Sequence, residues 1–324
     1  MGFFQGIIFA RINSIMGFKN IFMKTICSFY FVALALISCH NNNSESAASI
    51  LPVSQPAPAK PSSTLPKPAH VLVVIMENHS FNQIFHSKNA PAFNALVTAP
   101  QSALFTQSYA VAHPSQPNYL ALFSGDTQGS TDDEIPDNLP FTTPNLGRQL
   151  LDAGYTFAIY SEDLPEVGFN GKFAKIRKYA RKHNPVPNWV GTGVNQIPAS
   201  TNQPFTAFPA NYDSLPTVCF VVPNQDNDMH DGTIAQADKW YAKNLESYRQ
   251  WAAKHNSLLI VTFDEDDNSS SNRITTIFSG AHVKAGEDNM HITHYNVLRT
   301  IEDFYHLPYA GHAAEVATID NCWN

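Results

Sequence analysis

The chain has 324 residues, of which 44 % are hydrophobic and 15 % are charged. This composition predicts a globular protein with a sizeable core and excludes a largely disordered or collagen-like chain. The formal net charge of −7 argues against nucleic acid as a partner, because nucleic-acid-binding surfaces carry an excess of Lys and Arg.

The N-terminal segment has the features of an export signal. Lys24 precedes an apolar run over 26–37, which is followed by Ser38 and Cys39. The stretch Leu-Ile-Ser-Cys that ends at Cys39 resembles the lipobox of bacterial lipoproteins, whose cysteine is acylated. We therefore expect an upstream extension and signal peptide over 1–39, with Cys39 lipid-anchored to the outer membrane of a bacterial cell envelope. An uncleaved membrane anchor is the alternative, although the apolar run is short for a span of about 20 residues.

Residues 40–68 predict a flexible tether, since they are rich in Ser, Ala and Pro and show neither helical nor strand periodicity. The folded domain is then expected over 69–324. Beyond the signal and the anchor cysteine, the chain contains only Cys219 and Cys322. A disulfide between them is compatible with an oxidising envelope, but the sequence does not establish it.

Strand and helix patterns alternate along the folded part. The continuous apolar and β-branched run His70–Met76 predicts a strand buried on both faces of a mainly parallel sheet. Further strands are predicted over 155–160, 217–222, 257–263 and 273–278, helices over 145–153, 239–254 and 293–305, and an irregular insertion over 165–211. This alternation predicts an α/β fold, a three-layer α/β/α sandwich with a mainly parallel central sheet.

Polar residues directly follow two of these strands. Glu77 and Asn78 come after the first strand, and Asp264 and Glu265 come after the fourth. Because ligands of open α/β sheets bind beyond the carboxyl ends of the strands, we expect these side chains at one binding site. Carboxylate and amide oxygens are the ligands that hard cations prefer. At the first strand, capping of the next helix by Asn78 or Ser80 is the alternative.

Ser115 is the candidate nucleophile. It lies between two prolines, just before an apolar helix that is expected to begin near Asn118. A hydroxyl held on a stiff turn at a helix N-terminus is close to backbone N–H donors and to the positive end of the helix dipole, which favour a phosphate group. The alternative is that Ser115 or Asn118 only caps the helix.

Two further motifs contain candidate metal ligands. The loop after the third predicted strand contains Asp226, Asp228, His230 and Asp231, a mixture of imidazole and carboxylate groups that suits a zinc- or iron-like ion. A solvated acidic loop is the alternative. His294 begins an amphipathic helix, and it is a candidate metal ligand only in combination with the other motifs.

Five blocks follow one another in the chain: Glu-Asn-His-Ser-Phe, Pro-Ser-Gln-Pro-Asn-Tyr, Asn-Asp-Met-His-Asp, Phe-Asp-Glu-Asp, and a His before Val-Leu-Arg and Ile-Glu. In this order they resemble the phosphoesterase family, which groups acid phosphatases with bacterial phospholipases C inside the alkaline-phosphatase superfamily. The resemblance spans residues 70–307. It implies an alkaline-phosphatase-like fold.

The resemblance also implies roles for individual residues. Ser115 matches the family's nucleophile. The implied ligands of one or two divalent cations (zinc, iron, calcium or magnesium) are Glu77, Asn78, Asp264, Glu265 and His294, with Asp228 and His230 at a possible second site. The substrate-binding residues that we expect are His79, Asn118 and Asp231.

The predicted function is that of a metal-dependent phosphoric ester hydrolase acting on a small phosphorylated substrate without an obligate protein partner. We expect an acid-phosphatase-type phosphomonoesterase with a phosphoseryl intermediate. Asn82, where many relatives carry Asp, and the lack of a long C-terminal extension favour this branch over the alternative, a phospholipase C or other phosphodiesterase. The sequence after Ser115 lacks the sulfatase signature. A remoter alternative is a non-catalytic lipoprotein that binds a ligand or glycan at the cell surface.

Overall fold

The computed structural model describes residues 65–176 and 178–324, all of which belong to one compact unit. Its strands are β1 (His70–Met76), β2 (Ser102–Tyr109), β3 (Phe157–Ser161), β4 (Phe173–Ala174), β5 (Tyr179–Ala180), β6 (Asn202–Pro204), β7 (Val218–Val222), β8 (Ser257–Phe263), β9 (Thr276–Gly280) and β10 (Gly286–Thr293). Its α-helices are α1 (Phe81–Ile84), α2 (Pro91–Val97), α3 (Ser115–Ser124), α4 (Leu146–Asp152), α5 (Ile234–Asn244), α6 (Glu246–Ala252) and α7 (His294–Phe304). A 3₁₀ helix over Arg181–His183 also contributes to the site.

Eight strands form one sheet in the order β10-β2-β9-β8-β1-β7-β3-β6, and β4 pairs separately with β5. β1 lies near the centre and pairs in parallel with both neighbours, so that Val71 is aligned with Leu258 on one side and with Val218 on the other. Within this eight-stranded sheet, only β9 runs antiparallel to its neighbours. The prediction of a mainly parallel sheet is confirmed.

The two faces of the sheet bury separate cores, because successive side chains of a strand point to opposite faces. On β1, Val71 and Val73 belong to one core together with apolar residues of α3, α4 and α7. Leu72 and Val74 belong to the other core, which contains apolar residues of α2, α5 and α6. Helices therefore cover both faces, and the predicted three-layer α/β/α sandwich is confirmed.

Several elements differ from the sequence-based expectations. The helix predicted over 239–254 is two helices, α5 and α6, which meet at Leu245. The strand predicted over 273–278 begins only at Thr276, because Arg273 and Ile274 form isolated bridges to Tyr109 and Ser80 instead. Strands β2 and β10 and helix α2 were not expected. Ser80 caps α1 and forms a capping box with its N3 residue, so the capping interpretation holds for Ser80 and not for Asn78.

Two sequence-based expectations concern residues at or beyond the limits of the described chain. The signal over 1–39 with its anchor Cys39, and residues 40–64 of the tether, lie outside the described residues, so the envelope location stays a prediction. No helix within the described ranges is long and apolar enough to cross a membrane.

Cys219 and Cys322 are both buried free thiols, so they are not bonded to each other.

Glu302 on α7 is a buried carboxyl group that makes the stability of the fold depend on pH. Its Oε1 accepts a hydrogen bond from the Ala310 backbone N–H at 2.8 Å, whereas its Oε2 has no partner among the described residues. Burial raises the pKa of Glu302 from 4.5 to about 8. Between these two values the folded state retains a proton that the unfolded state loses, so this group lowers the stability as the pH rises.

We expect Glu302→Gln to remove this pH dependence, since glutamine keeps the accepting oxygen and does not ionise. The unfolding free energy of the variant minus that of the wild type should rise between about pH 5 and 8, by up to about 1.4 kcal/mol per pH unit. Denaturant unfolding at several pH values measures this difference. Glu287→Gln, at an exposed position, is the matched control and should give a constant difference. A constant difference for Glu302→Gln would contradict the prediction.

Candidate active site

Ser115 lies in the first turn of α3, whose ten residues are all buried. The helix begins three residues earlier than expected, at Ser115 and not near Asn118, because Pro114 supplies the N-cap position. The Ser115 Oγ lies 3.0 Å from Glu265 Oε1 and 3.2 Å from Glu77 Oε2, and its hydroxyl hydrogen can be donated to either carboxylate. The candidate nucleophile is therefore in direct contact with two of the predicted acidic residues.

Asn118 holds the turn that precedes Ser115. Its Oδ1 accepts hydrogen bonds from the backbone N–H groups of Val111 and Ala112, each at 3.0 Å. Its Nδ2 donates to the carbonyl oxygens of Ala112 at 2.9 Å and Pro114 at 3.3 Å. Both amide hydrogens are used inside this turn, and a contact of Asn118 with substrate oxygens stays a prediction.

Three carboxylates meet at the carboxyl edge of the sheet. Glu77 follows β1, Asp264 follows β8, and Asp228 lies in the loop after β7, so adjacent parallel strands bring them together. All three are buried. Two hydrogen bonds join the residues after β1 to those after β7 and β8. The Glu77 N–H donates to the Asp228 carbonyl oxygen at 2.9 Å, and the Asn78 N–H donates to Asp264 Oδ1 at 3.0 Å.

The burial of these carboxylates changes their acidity. Burial raises the pKa of Glu77 well above its usual range, and the charges of Asp264 and Asp228 raise it further. Burial likewise raises the pKa of Asp264 to about 7, with an added contribution from the charge of Glu265. Buried like charges repel each other, and a cation bound among these carboxylates would offset the repulsion.

His183 is a residue of the site that the sequence analysis missed. It lies in the 3₁₀ helix over Arg181–His183, and its ring stacks on Tyr119 with 5.4 Å between the ring centroids. Its Nε2 lies 3.2 Å from Glu77 Oε1, and its Nδ1 lies 3.3 Å from Asp228 Oδ2. Burial lowers the pKa of His183 well below its usual value, and the charge of Lys182 lowers it further. A lowered pKa favours the neutral ring, which is the form that binds metals.

The cluster has the donors of a metal site. Ligand atoms of Glu77, His183 and His230 lie within 4.8 Å of one another. Several buried polar atoms of the cluster have no hydrogen-bond partner in the described part of the chain: His183 Nε2, Asp228 Oδ2, Asp264 Oδ2 and His294 Nδ1. Because buried polar atoms are nearly always paired, these donors fit a divalent cation.

The other predicted ligands lie around this cluster. His294 Nε2 lies 2.7 Å from the Asp264 carbonyl oxygen, which can only accept, so the ring proton is on Nε2 and the Nδ1 lone pair is free. Burial lowers the pKa of His294 to about 4. Asn78 Nδ2 donates to Glu77 Oε2 at 3.3 Å. Glu265 pairs with His113, a second site residue that was not singled out.

The predicted substrate-binding residues His79 and Asp231 have partners within their own segments. His79 Nδ1 lies 2.9 Å from the Glu77 carbonyl oxygen in the same turn. Asp231 is exposed, and its Oδ1 pairs with His230 Nδ1 at 2.8 Å. The Lys182 Nζ lies 3.0 Å from His230 Nε2, which joins this loop to the cluster around Glu77 and His183.

Comparisons with known proteins agree with this geometry. A model of the phosphoesterase family matches residues 85–308. A phosphatidylinositol-3-phosphatase of Mycobacterium tuberculosis is 50% identical over 263 residues, which are 81% of this chain and 85% of the relative. An acid phosphatase of Aspergillus fumigatus is 31% identical over 233 residues, which are 66% of this chain and 50% of the relative, so the chain spans about half the length of that protein.

The fold has solved counterparts as well. A crystal structure of a protein in the alkaline phosphatase superfamily from Vibrio parahaemolyticus superimposes with a TM-score of 0.51 at 13% identity, covering 74% of this chain and 66% of that chain. This likeness confirms the alkaline-phosphatase-like fold. The family model matches more than half of the chain, and one relative is identical at half of the aligned positions. The chain therefore belongs to the phosphoesterase family and is a phosphoric ester hydrolase.

Proposed function

We propose that the protein is a metal-assisted phosphomonoesterase in which Ser115 is transiently phosphorylated. The observation that carries this proposal is the position of the Ser115 hydroxyl, buried in the first turn of α3 and within 3.2 Å of carboxylate oxygens of Glu77 and Glu265. The activities named for the relatives, a phosphatidylinositol-3-phosphatase and an acid phosphatase, support a phosphate monoester as the substrate.

The reaction would proceed in two displacements. The Ser115 Oγ forms a bond to phosphorus while the bond from phosphorus to the leaving oxygen breaks, and the leaving oxygen takes up a proton from solvent. The proton of the Ser115 hydroxyl moves to one of the two carboxylates that it contacts, Glu265 or Glu77. Water then attacks the phosphoserine, releases inorganic phosphate and restores the hydroxyl group.

The metal site would be formed by Glu77, His183, Asp228, Asp264 and His230, with Asn78, Glu265 and His294 as further candidate ligands. A mixture of imidazole and carboxylate donors favours a zinc- or iron-like ion over calcium or magnesium. When bound, such a cation lowers the cost of forming an alkoxide and stabilises negative charge on phosphoryl oxygens. The buried carboxylates would keep it beside Ser115.

The depth of Ser115 favours monoesters over diesters. Ser115 is only 1% exposed, so a second ester group on the reacting phosphorus has little room beside it. We expect kcat/KM for nitrophenyl phosphate to exceed that for bis(nitrophenyl) phosphate and for phosphatidylcholine by at least about tenfold. Steady-state kinetics on all three compounds measure this ratio. A ratio that favours either diester would support a phosphodiesterase or phospholipase C, and turnover of none of them would contradict the proposal.

A further inference from the structure

A cavity of about 250 Å³ lies next to the proposed reaction site. Gln116, the neighbour of Ser115 on α3, lines one part of it, and His230 of the metal cluster lines another. Three cationic side chains also line it: Lys172, Lys182 and Arg181. Two of its lining residues, Gln116 and His230, therefore adjoin the site at which a phosphate monoester would react.

Arg181 is the unusual member of this lining. It is 1% exposed, and its Nε donates to Asn170 Oδ1 at 2.9 Å. Its Nη1 and Nη2 have no hydrogen-bond partner within 65–176 and 178–324, and no carboxylate there lies within ion-pair distance of the guanidinium. Lys172, by contrast, pairs with Glu134, and Lys182 pairs with Asp133 at 2.9 Å.

An unpaired guanidinium in this position is expected to bind an anion. Burial of a charge is costly unless the charge is paired and hydrogen-bonded, so a buried Arg without a carboxylate is rarely a purely structural residue. The two unpartnered ends of the planar guanidinium form a fork that matches two oxygens of a phosphate group. The carboxylates in the lining are already paired and therefore do not fill this fork.

We propose that Arg181 is a specificity-determining residue that binds a second phosphate group of the substrate while the first reacts at Ser115. This inference rests on the proposed function. The preferred substrate class is then a phosphate monoester that carries a second phosphate ester. Soluble bisphosphates and the headgroups of phosphorylated inositol lipids share this chemistry, since the lipid carries a phosphodiester beside its phosphate monoester.

The test compares three substrates: inositol 3-phosphate with one phosphate, inositol 1,3-bisphosphate with two, and short-chain phosphatidylinositol 3-phosphate with a monoester and a diester. In the wild type, kcat/KM for at least one doubly phosphorylated compound should exceed that for inositol 3-phosphate by at least about tenfold. In Arg181→Gln this advantage should fall by about 10- to 100-fold, while kcat/KM for inositol 3-phosphate changes by less than about threefold.

The outcomes separate the sources of the second phosphate. If Arg181→Gln lowers kcat/KM for the bisphosphate alone, the subsite binds soluble compounds. If it lowers kcat/KM for the lipid alone, the subsite binds the headgroup diester. If it lowers both values, the subsite binds the second phosphate of either compound. Equal loss on all three compounds overturns the proposal, because Arg181 would then act on the fold or on the reaction itself. An unchanged advantage overturns it as well.

Two controls keep the test decisive. Arg148→Gln removes a surface guanidinium that pairs with Asp152 away from the cavity, and it should leave all three values unchanged. If Arg181→Gln does not fold, the wild-type comparison alone decides, since equal kcat/KM for one and two phosphates contradicts a second phosphate site. Hydrolysis of nitrophenyl phosphate tests the proposed function independently, because that compound has a single phosphate.

Discussion

Ser115→Ala is expected to lower kcat/KM for nitrophenyl phosphate by at least about 10³-fold. The alanine side chain has no atom that can bond to phosphorus, and no other hydroxyl group contacts both Glu77 and Glu265 in the described part of the chain. The removed hydroxyl makes hydrogen bonds only to these carboxylates, so the fold and the metal content should persist. Steady-state kinetics, circular dichroism and elemental analysis of the same preparation measure the three properties.

Ser124→Ala is the matched control for this experiment. Ser124 is the last residue of the same helix, is equally buried, and donates to the Leu120 carbonyl oxygen at 2.8 Å, away from the carboxylates. We expect it to keep its activity within about threefold of the wild type. A Ser115→Ala protein that retains most of its phosphatase activity would exclude Ser115 as the nucleophile.

Removal of the proposed cation by a chelator is expected to abolish turnover and to lower the melting temperature by roughly 10 °C. Glu77, Asp228 and Asp264 are buried side by side, and without a cation each ionised carboxylate repels the other two. Addition of zinc or iron should restore both properties. Thermal melts and activity assays, with elemental analysis before and after chelation, measure the effect.

Two substitutions in one loop provide the matched comparison. Asp228→Asn removes a buried carboxylate of the cluster and should lower the affinity for the cation by at least about tenfold. Asp226→Asn removes a half-buried carboxylate that pairs with Lys178 outside the cluster, and its metal affinity should equal that of the wild type. Equal metal affinity in both variants would show that Asp228 does not bind the cation.

The parts of the fold that were predicted correctly are those with a strong local signal. β1 and β8 are continuous apolar runs, and their bounds agree with the sequence-based prediction. β10 could not be found this way, because it is an edge strand in which polar residues such as Glu287 and Asn289 are exposed. Pattern reasoning detects burial, and an edge strand with little burial gives no such pattern.

The site was predictable where a strand ends at a carboxylate, as at Glu77 and Asp264. His183 was missed because the insertion over 165–211 has no periodicity, and only tertiary contacts with Tyr119 and Glu77 place it. The run Arg181-Lys182-His183 was a usable signal, since three basic residues are concentrated in a chain with only 15% charged residues.

Other details of the site depend on geometry that the sequence does not encode locally. Asp228 and Asp231 lie three positions apart in one loop, yet the first is buried in the cluster and the second is exposed. The amide of Asn118 could donate a hydrogen bond to a phosphate group, but it is hydrogen-bonded to the backbone of the turn before Ser115. The residue types alone could not distinguish these cases.

The most direct test of the account is mass spectrometry of the wild-type enzyme, quenched in acid during turnover of nitrophenyl phosphate and digested into peptides. We predict one phosphoryl group on the peptide that contains Ser115, located on the Ser115 side chain. A phosphoryl group on any other residue, or turnover without a phosphorylated peptide at any time point, would contradict the account.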